Sequence, residues 1–505
     1  MQSKRLGLLL WALLIPCIAL AKKGPSMKKL DKRIVAAYEA LKPTGLAVAV
    51  VKDGEIVYKK AFGYANADTK EALATDHLFN IASCSKAFTA AGLALLVERG
   101  KVKWEDKVRD HIPEFALIED YATREMDLKD LLCHRSGLGT FYGDLLWYGT
   151  DYSNADIIKR MKYLPMTEKF GSGYGYQNNM YMIAGEVIKK VTGKDWEQYI
   201  QETFFEPLGM NASRTSNDVL ADGDKIAMPH TDGAVGEIYD FNAVKPAASI
   251  YSSVEDLAHW AAMLTNSGKY KGKQVISPAT INDLFTGENI RPINNIWRSY
   301  GTHYRAYGLG WSLYDYGGAF VAEHDGGMPG YISKVALVPD MDLGIIVLNN
   351  GFDFFIHDLV RFIVLDAFLD REERDWIKKT QQGKAEYEAW KSASDKMRAE
   401  SQKQGTLPSM PLISYCGTFR DQMYGDAEVR LEEEGLYLTL LPTKKYFHGL
   451  LSHWHDDVFK VQFDDPFLTY GLIQFDVQEG AVKRFTIDLP SGDFHFFNLN
   501  FQSLE

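Results

Sequence analysis

Up to about residue 370 the apolar positions recur with both the strand and the helix period. Residues 45–51, Gly-Leu-Ala-Val-Ala-Val-Val, and residues 55–58 flank Lys52-Asp53-Gly54, which predicts a hairpin at the start of a sheet. Helices are expected over 87–99 and 179–192, where Gly100 and Gly193 act as stop signals. In the second, Met180, Ile183, Ala184, Val187, Ile188 and Val191 share one face, a core stripe rather than a cofactor box. Ser253-Val254-Glu255-Asp256 reads as a capping box ahead of Leu257, Trp260, Ala261 and Leu264. Residues 333–338 and 344–348 flank Pro339-Asp340-Met341-Asp342 as a second hairpin.

The pattern then changes twice. Residues 371–405 are charged and polar with isolated Trp376, Tyr387 and Trp390, which predicts a surface helix or helical pair as a linker, broken by Gly405, Pro408 and Pro411. From residue 406 to 505 only strands are expected. Val429-Leu431, Leu436-Leu438-Leu440, Phe459-Val461-Phe463, Ile473-Phe475-Val477 and Phe485-Ile487-Leu489 alternate with polar neighbours, as in a sandwich or barrel. The fold class is therefore α/β in the α+β sense. An antiparallel sheet flanked by helices, with an all-helical lobe, occupies 22–370, and a small all-β domain follows the linker.

Lys4 and Arg5, an apolar run over 6–20 and Ala19-Leu20-Ala21 have the form of a signal peptide over residues 1–21. An uncleaved anchor is the alternative, and Pro16 before Cys17 disfavours a lipoprotein. The mature chain is expected to be exported, periplasmic or secreted, without integral membrane contact. With 56 Lys and Arg against 67 Asp and Glu, the net charge of -11 is spread along the chain, which argues against nucleic acid or an anionic membrane as partner. A small-molecule or peptide substrate fits better. Beyond the leader, Cys84, Cys133 and Cys416 form neither a disulfide framework nor a metal motif, and no metal or cofactor is called for.

The chemistry begins at Ser83-Cys84-Ser85-Lys86, ahead of the first predicted helix. Three residues apart, Ser83 and Lys86 fall on one helical face. A serine is a poor nucleophile unless a neighbouring base takes its proton, and a lysine serves only if burial or a helix N-terminus lowers its pKa. Alone this spacing is a weak signal, and a capping serine followed by a surface lysine accounts for most of its chance occurrences. Two further motifs follow: Tyr176-Gln177-Asn178 on a loop at a helix start, and His324-Asp325-Gly326-Gly327 ahead of a strand.

Together the three resemble the S-x-x-K, Y-x-N and K-T-G or H-x-G signatures of the serine β-lactamase and penicillin-binding-protein family, including class C β-lactamases, D-aminopeptidases and family VIII esterases. Lys86-Ala87-Phe88-Thr89, the segment 132–138, 253–257 and 326–331 extend the resemblance over about residues 30–365. It implies that Ser83 forms an acyl-enzyme while Lys86 and Tyr176 share proton transfer. Asn178 would bond Lys86 and the substrate, and the N–H groups of Ser83 and Gly327 would form the oxyanion hole. Gly326 and Gly327 would let a strand edge approach the substrate. His324 stands where β-lactamases carry lysine; largely neutral near pH 7, it points toward esters or amides rather than β-lactams. Some relatives carry a lipocalin-like barrel at the C-terminus, which would gate the cleft or mediate oligomers.

Several tempting groups read as structural. These are Ser85, on the wrong face for Lys86; Cys84, a small buried side chain; His134; the run Gly171, Gly173, Gly175, which lacks a phosphate-loop ending; and His453, His455, Asp456 and Asp457, a solvated loop. The resulting expectation is a serine hydrolase acting on an ester or amide, D-amino-acid peptides and β-lactams included. The alternative is a penicillin-binding or peptidoglycan-sensing receptor module that acylates without efficient turnover.

Overall fold

The computed structural model describes residues 24–504; the leader expected over 1–21 lies outside the described residues. Strand Gly45–Lys52 has no polar face in sequence because the sheet is covered on both sides. Leu46, Val48 and Val50 join Leu30, Ile34, Val360 and Ile363 in one core, from the helices Met27–Leu41 and Ile356–Phe368. Ala47, Ala49 and Val51 join the opposite core with Leu257, Ala258 and Ala261 of helix Val254–Thr265. Nine antiparallel strands run in the order Asn289–Ile290, Arg305–Tyr307, Ser312–Tyr316, Ala319–Met328, Tyr331–Val338, Leu343–Asn349, Gly45–Lys52, Glu55–Asn66 and Glu71–Ala72. Both expected hairpins lie in this sheet.

One local detail departs from the sequence pattern. Ser253 caps its helix by accepting the Asp256 N–H at 3.1 Å, yet Asp256 does not return the bond. Its carboxylate instead accepts the N–H groups of Ala212 and Ser213 and the Ser213 hydroxyl, at 3.0, 2.8 and 2.8 Å. These three donors gather on one carboxylate oxygen, whereas the first turn of the helix is already served by Ser253.

The helical lobe is organised by Ser85–Glu98, buried from Ser85 to Leu96, which packs against Asn178–Thr192. Of the two linker forms the pattern allowed, one helix is found, Trp376–Glu400. It is anchored at its start, where the buried Trp376 stacks on Phe362 at 4.2 Å and donates to Asp366 at 2.5 Å. The C-terminal strands close into an eight-stranded barrel, because Asn500–Ser503 pairs back onto Gly417–Asp421. Phe419, Phe475, Phe485 and Phe501 pack ring against ring inside it.

The barrel docks directly on the first domain. Phe494 lies 4.0 Å from the Tyr148 ring, Tyr148 donates to Asp465 at 2.8 Å, and Tyr152 donates to the Tyr424 carbonyl at 2.5 Å. Among the described residues no helix is long and apolar enough to cross a membrane.

Candidate active site

Ser83 sits in the one-turn segment Ala82–Cys84 that runs straight into helix Ser85–Glu98. The turn is strained at Ala82, whose φ is 47°, and its N–H is held by the Asn80 side chain at 2.6 Å. A non-glycine residue in that conformation persists only where its surroundings fix it, and such strain gathers at functional sites. Ser83 stays partly open while Lys86, one turn on, is fully buried.

Lys86 Nζ lies 3.1 Å from Ser83 Oγ, 2.6 Å from Asn178 Oδ1 and 3.0 Å from the Ala247 carbonyl. Burial brings its pKa down to about 7, against the upward pull of Asp144. The two carbonyl oxygens can only accept. In the neutral amine they take both N–H bonds, which leaves the lone pair facing the Ser83 hydroxyl.

The Tyr176 ring lies 4.8 Å from Lys86 Nζ. Burial holds its phenol well above the usual value, so it stays neutral, although Ser83 is near enough for that side chain to lower the pKa in part. Its loop is fixed from both sides: Tyr176 N–H donates to Thr140 Oγ1 at 3.1 Å, and the Phe141 N–H donates to the Tyr176 carbonyl at 2.8 Å. The segment that supplies Thr140 and Phe141 also carries Asp144, which the sequence reading did not single out. Its Oδ2 accepts from Asn178 Nδ2 at 2.6 Å and its Oδ1 from Trp147 Nε1 at 3.0 Å. Burial pushes this carboxyl up to about 8.

Strand Ala319–Met328 brings His324, Gly326 and Gly327 alongside Ser83, and all four line one cavity of about 1520 Å³. A Cβ on Gly326 would lie 2.2 Å from the Ile81 carbonyl and 3.1 Å from the Ala82 Cβ. The glycine is therefore required for the strand to pass behind the Ser83 turn, not for access by substrate. Gly327 faces the cavity, and a Cβ there would meet only Ile332, at 3.6 Å.

His324 is neutral and internally satisfied. Its Nδ1 donates to the Asp325 carbonyl at 2.6 Å, so Nε2 is the acceptor for the Tyr307 hydroxyl at 2.7 Å. Burial, reinforced by Lys86, lowers its pKa to about 4.

The groups read as structural are occupied elsewhere. Ser85 Oγ accepts the Ile250 N–H at 3.1 Å. Cys84 Sγ donates to the His324 carbonyl at 3.2 Å, and burial pushes its thiol up to about 12. His134 Nδ1 accepts the Gln177 N–H at 3.1 Å, with its ring 4.2 Å from Tyr176, so it supports the tyrosine loop from beneath. In the barrel loop, Asp456 pairs with Lys403 at 2.7 Å and His453 with the Asp456 carbonyl at 3.0 Å.

The cavity has a second wall that the sequence did not reveal. Trp147, Phe241 and Arg291 from the first domain face Phe467, Asp493 and Phe494 from the barrel.

The β-lactamase family model matches residues 30–367, and a domain of unknown function, DUF3471, matches residues 401–503. The chain belongs to the serine β-lactamase and penicillin-binding-protein family, a family of hydrolases. The unguisins hydrolase of Aspergillus violaceofuscus is 28% identical over 440 residues, 80% of this chain and 76% of that protein. Among solved structures, the octameric penicillin-binding protein homologue from Pyrococcus abyssi aligns over 94% of this chain and 99% of its own, with a TM-score of 0.61 at 20% identity. The D-amino acid amidase from Ochrobactrum anthropi aligns over 68% of this chain and 99% of its own, with a TM-score of 0.56 at 24% identity.

Proposed function

We propose that this protein is an exported serine hydrolase that cleaves an ester or amide through a seryl acyl-enzyme. The observation that carries the reading is the setting of Lys86, buried 3.1 Å from Ser83 Oγ with both remaining partners able only to accept. In acylation, Ser83 Oγ bonds to the substrate carbonyl carbon as its proton passes to Lys86 Nζ. The bond to the leaving oxygen or nitrogen then breaks. Tyr176, neutral and beside Ser83, hands a proton to that leaving atom and is reprotonated from Lys86. Water reverses the sequence in deacylation. Ser83 and Gly327 N–H groups are assigned to the oxyanion, Asn178 to the substrate amide.

His324 supports esters or amides over β-lactams. Its nitrogens are already bonded and its charge is suppressed, so a substrate carboxylate gains no cation there. Likeness to the D-amino acid amidase makes amide cleavage the favoured branch, with D-amino-acid amides and peptides the first substrates to try. Export rests on the leader-like run at residues 6–20, and assembly through the barrel on likeness to the octameric homologue.

The test is intact mass after a fluorophosphonate probe, together with turnover of a chromogenic ester, for the native chain, Ser83→Ala and Ser85→Ala. One adduct, lost only in Ser83→Ala, with many turnovers, is expected. A single equivalent released without turnover would convert the reading to the receptor module. No adduct and no reaction with esters or penicillins would end it.

A further inference from the structure

The amide of Asn178 has two nearly isosteric orientations, and its surroundings select one. Turned one way, its oxygen accepts from Lys86 and its nitrogen donates to Asp144, as observed at 2.6 Å for both contacts. Turned the other way, the amide nitrogen faces the lysine. Lys86 would then spend its lone pair accepting that N–H, and no base would remain for Ser83. The orientation of one buried amide thus decides whether the nucleophile has a partner.

We propose that Asp144 is a positioning residue for this site: its carboxylate locks the Asn178 amide with oxygen toward Lys86, and so aims the Lys86 lone pair at Ser83. Once ionised, above about pH 8, the Asp144 carboxylate can only accept, and two N–H donors use it, Asn178 Nδ2 on one oxygen and Trp147 Nε1 at 3.0 Å on the other. Turning the amide would set oxygen against carboxylate in a buried place, a cost that only a carboxylate imposes so strongly. Lys86 and Asp493, from the barrel loop, are the charged groups whose fields act on Asp144.

The chain goes to some length to deliver this carboxylate. Gly143 has a φ of 87°, and a Cβ there would lie 2.7 Å from Leu164 and 2.9 Å from the Asn179 amide nitrogen. Only glycine allows the loop to turn so close to the Asn178 helix. The Phe141 N–H to Tyr176 carbonyl bond, at 2.8 Å, ties the same loop to the tyrosine. One short segment therefore holds Tyr176 directly and Lys86 through Asn178.

The inference rests on Ser83 and Lys86 acting as proposed above, and donor counting supplies a test that separates the two. In Asp144→Asn one oxygen must serve two N–H donors, so Asn178 loses its partner in a share of molecules. Trp147→Phe removes the competing donor and frees that oxygen for Asn178. The second-order rate of fluorophosphonate labelling, which reports Ser83 nucleophilicity, is measured at about pH 9, where Asp144 is ionised, for the native chain, D144N, W147F and D144N/W147F. D144N is expected to slow labelling by about thirtyfold, the scale of a buried charged hydrogen bond, and the double variant to return to within about threefold of W147F.

An unchanged rate in D144N, or a double variant as slow as D144N, would overturn the proposal, because a structural role predicts added damage rather than rescue. Thermal melts accompany each variant. Should D144N alone melt below the assay temperature, the comparison of the double variant with W147F decides by the same margins. Failure of both chains that carry D144N to fold would also overturn it, since the carboxylate would then serve the fold and not Lys86. A native chain that does not label refutes the nucleophile itself and is read separately.

Discussion

Lys86 is held by three short contacts within a fully buried space, and its acid–base behaviour follows from them. Below about pH 7 it is an ammonium that has no lone pair for Ser83; above that value it is an amine. The rate constant kcat/KM for a chromogenic ester is therefore expected to climb with pH through about 7 and level off above it. Asp144, pushed up to about 8, titrates beside it and widens the rise, since two such neighbours lose protons as a pair. Tyr176 is held well above 10 and His324 near 4, so neither adds a limb in this window. Lys86→Arg, always protonated, is expected to lose the rise together with the activity. A native profile flat from about pH 5 to 9 would remove lysine as the base.

At the scale of the element, strand Ala319–Met328 is placed by charges behind it. Lys334 is buried and pairs with Asp325 at 2.6 Å, Asp358 at 2.7 Å and Glu323 at 3.4 Å. Arg361 backs the same group, at 2.6 Å from Asp358. Burial alone would raise Asp325 and Asp358, but Lys334 and its cationic neighbours hold both below the usual carboxylate range. A depressed folded pKa stabilises above the unfolded value of about 3.9 and is lost as pH falls through the folded one. Lys334→Met is thus expected to cost about 1–3 kcal/mol near neutral pH, because the half-exposed Asp325 and Asp358 lose their cation while the buried Glu323 keeps Arg361 and Tyr314. The deficit should shrink on acidification, as those carboxylates take up protons. Thermal melts at pH 7.5 and 4.5 check it, and a deficit that grows on acidification would contradict the assignment.

How much of the site the sequence disclosed follows from the distance over which each contact is made. Ser83 and Lys86 were legible because one helical turn links them, and Tyr176 and Asn178 because they share a short motif. The sheet strands, alternating or wholly apolar, were legible for the same local reason. Asp144 reaches Asn178 from a separate loop, and Ala247 contributes only its carbonyl, so neither left a mark in the pattern; Gly143 beside Asp144 was the one available hint. Gly326 was read as a glycine needed for substrate access, whereas it is the Ile81 carbonyl that forbids a side chain there. That contact joins residues far apart in the chain, and spacing alone does not carry it.

Across the whole molecule, the barrel is a wall of the reaction cavity as much as a separate domain. Its Phe494 packs 4.0 Å from Tyr148 and 5.9 Å from Trp147, and Trp147 in turn bonds Asp144 beside the reacting groups. The wall therefore bears on two properties that one substitution separates. Phe494→Ala removes a buried ring from the junction and is expected to lower stability by about 3 kcal/mol, read as a drop in Tm. The same change widens the cavity opposite Ser83. A small ester such as nitrophenyl acetate does not fill that space, so its kcat/KM should stay within about threefold of native, whereas esters with bulky acyl groups should gain relative to it by about tenfold. If Tm falls while the ratio of bulky to small substrates stays fixed, the barrel supports the first domain without shaping what it accepts. If the ratio moves as expected, substrate choice in this chain is set partly by a domain that contributes none of the residues assigned to bond making.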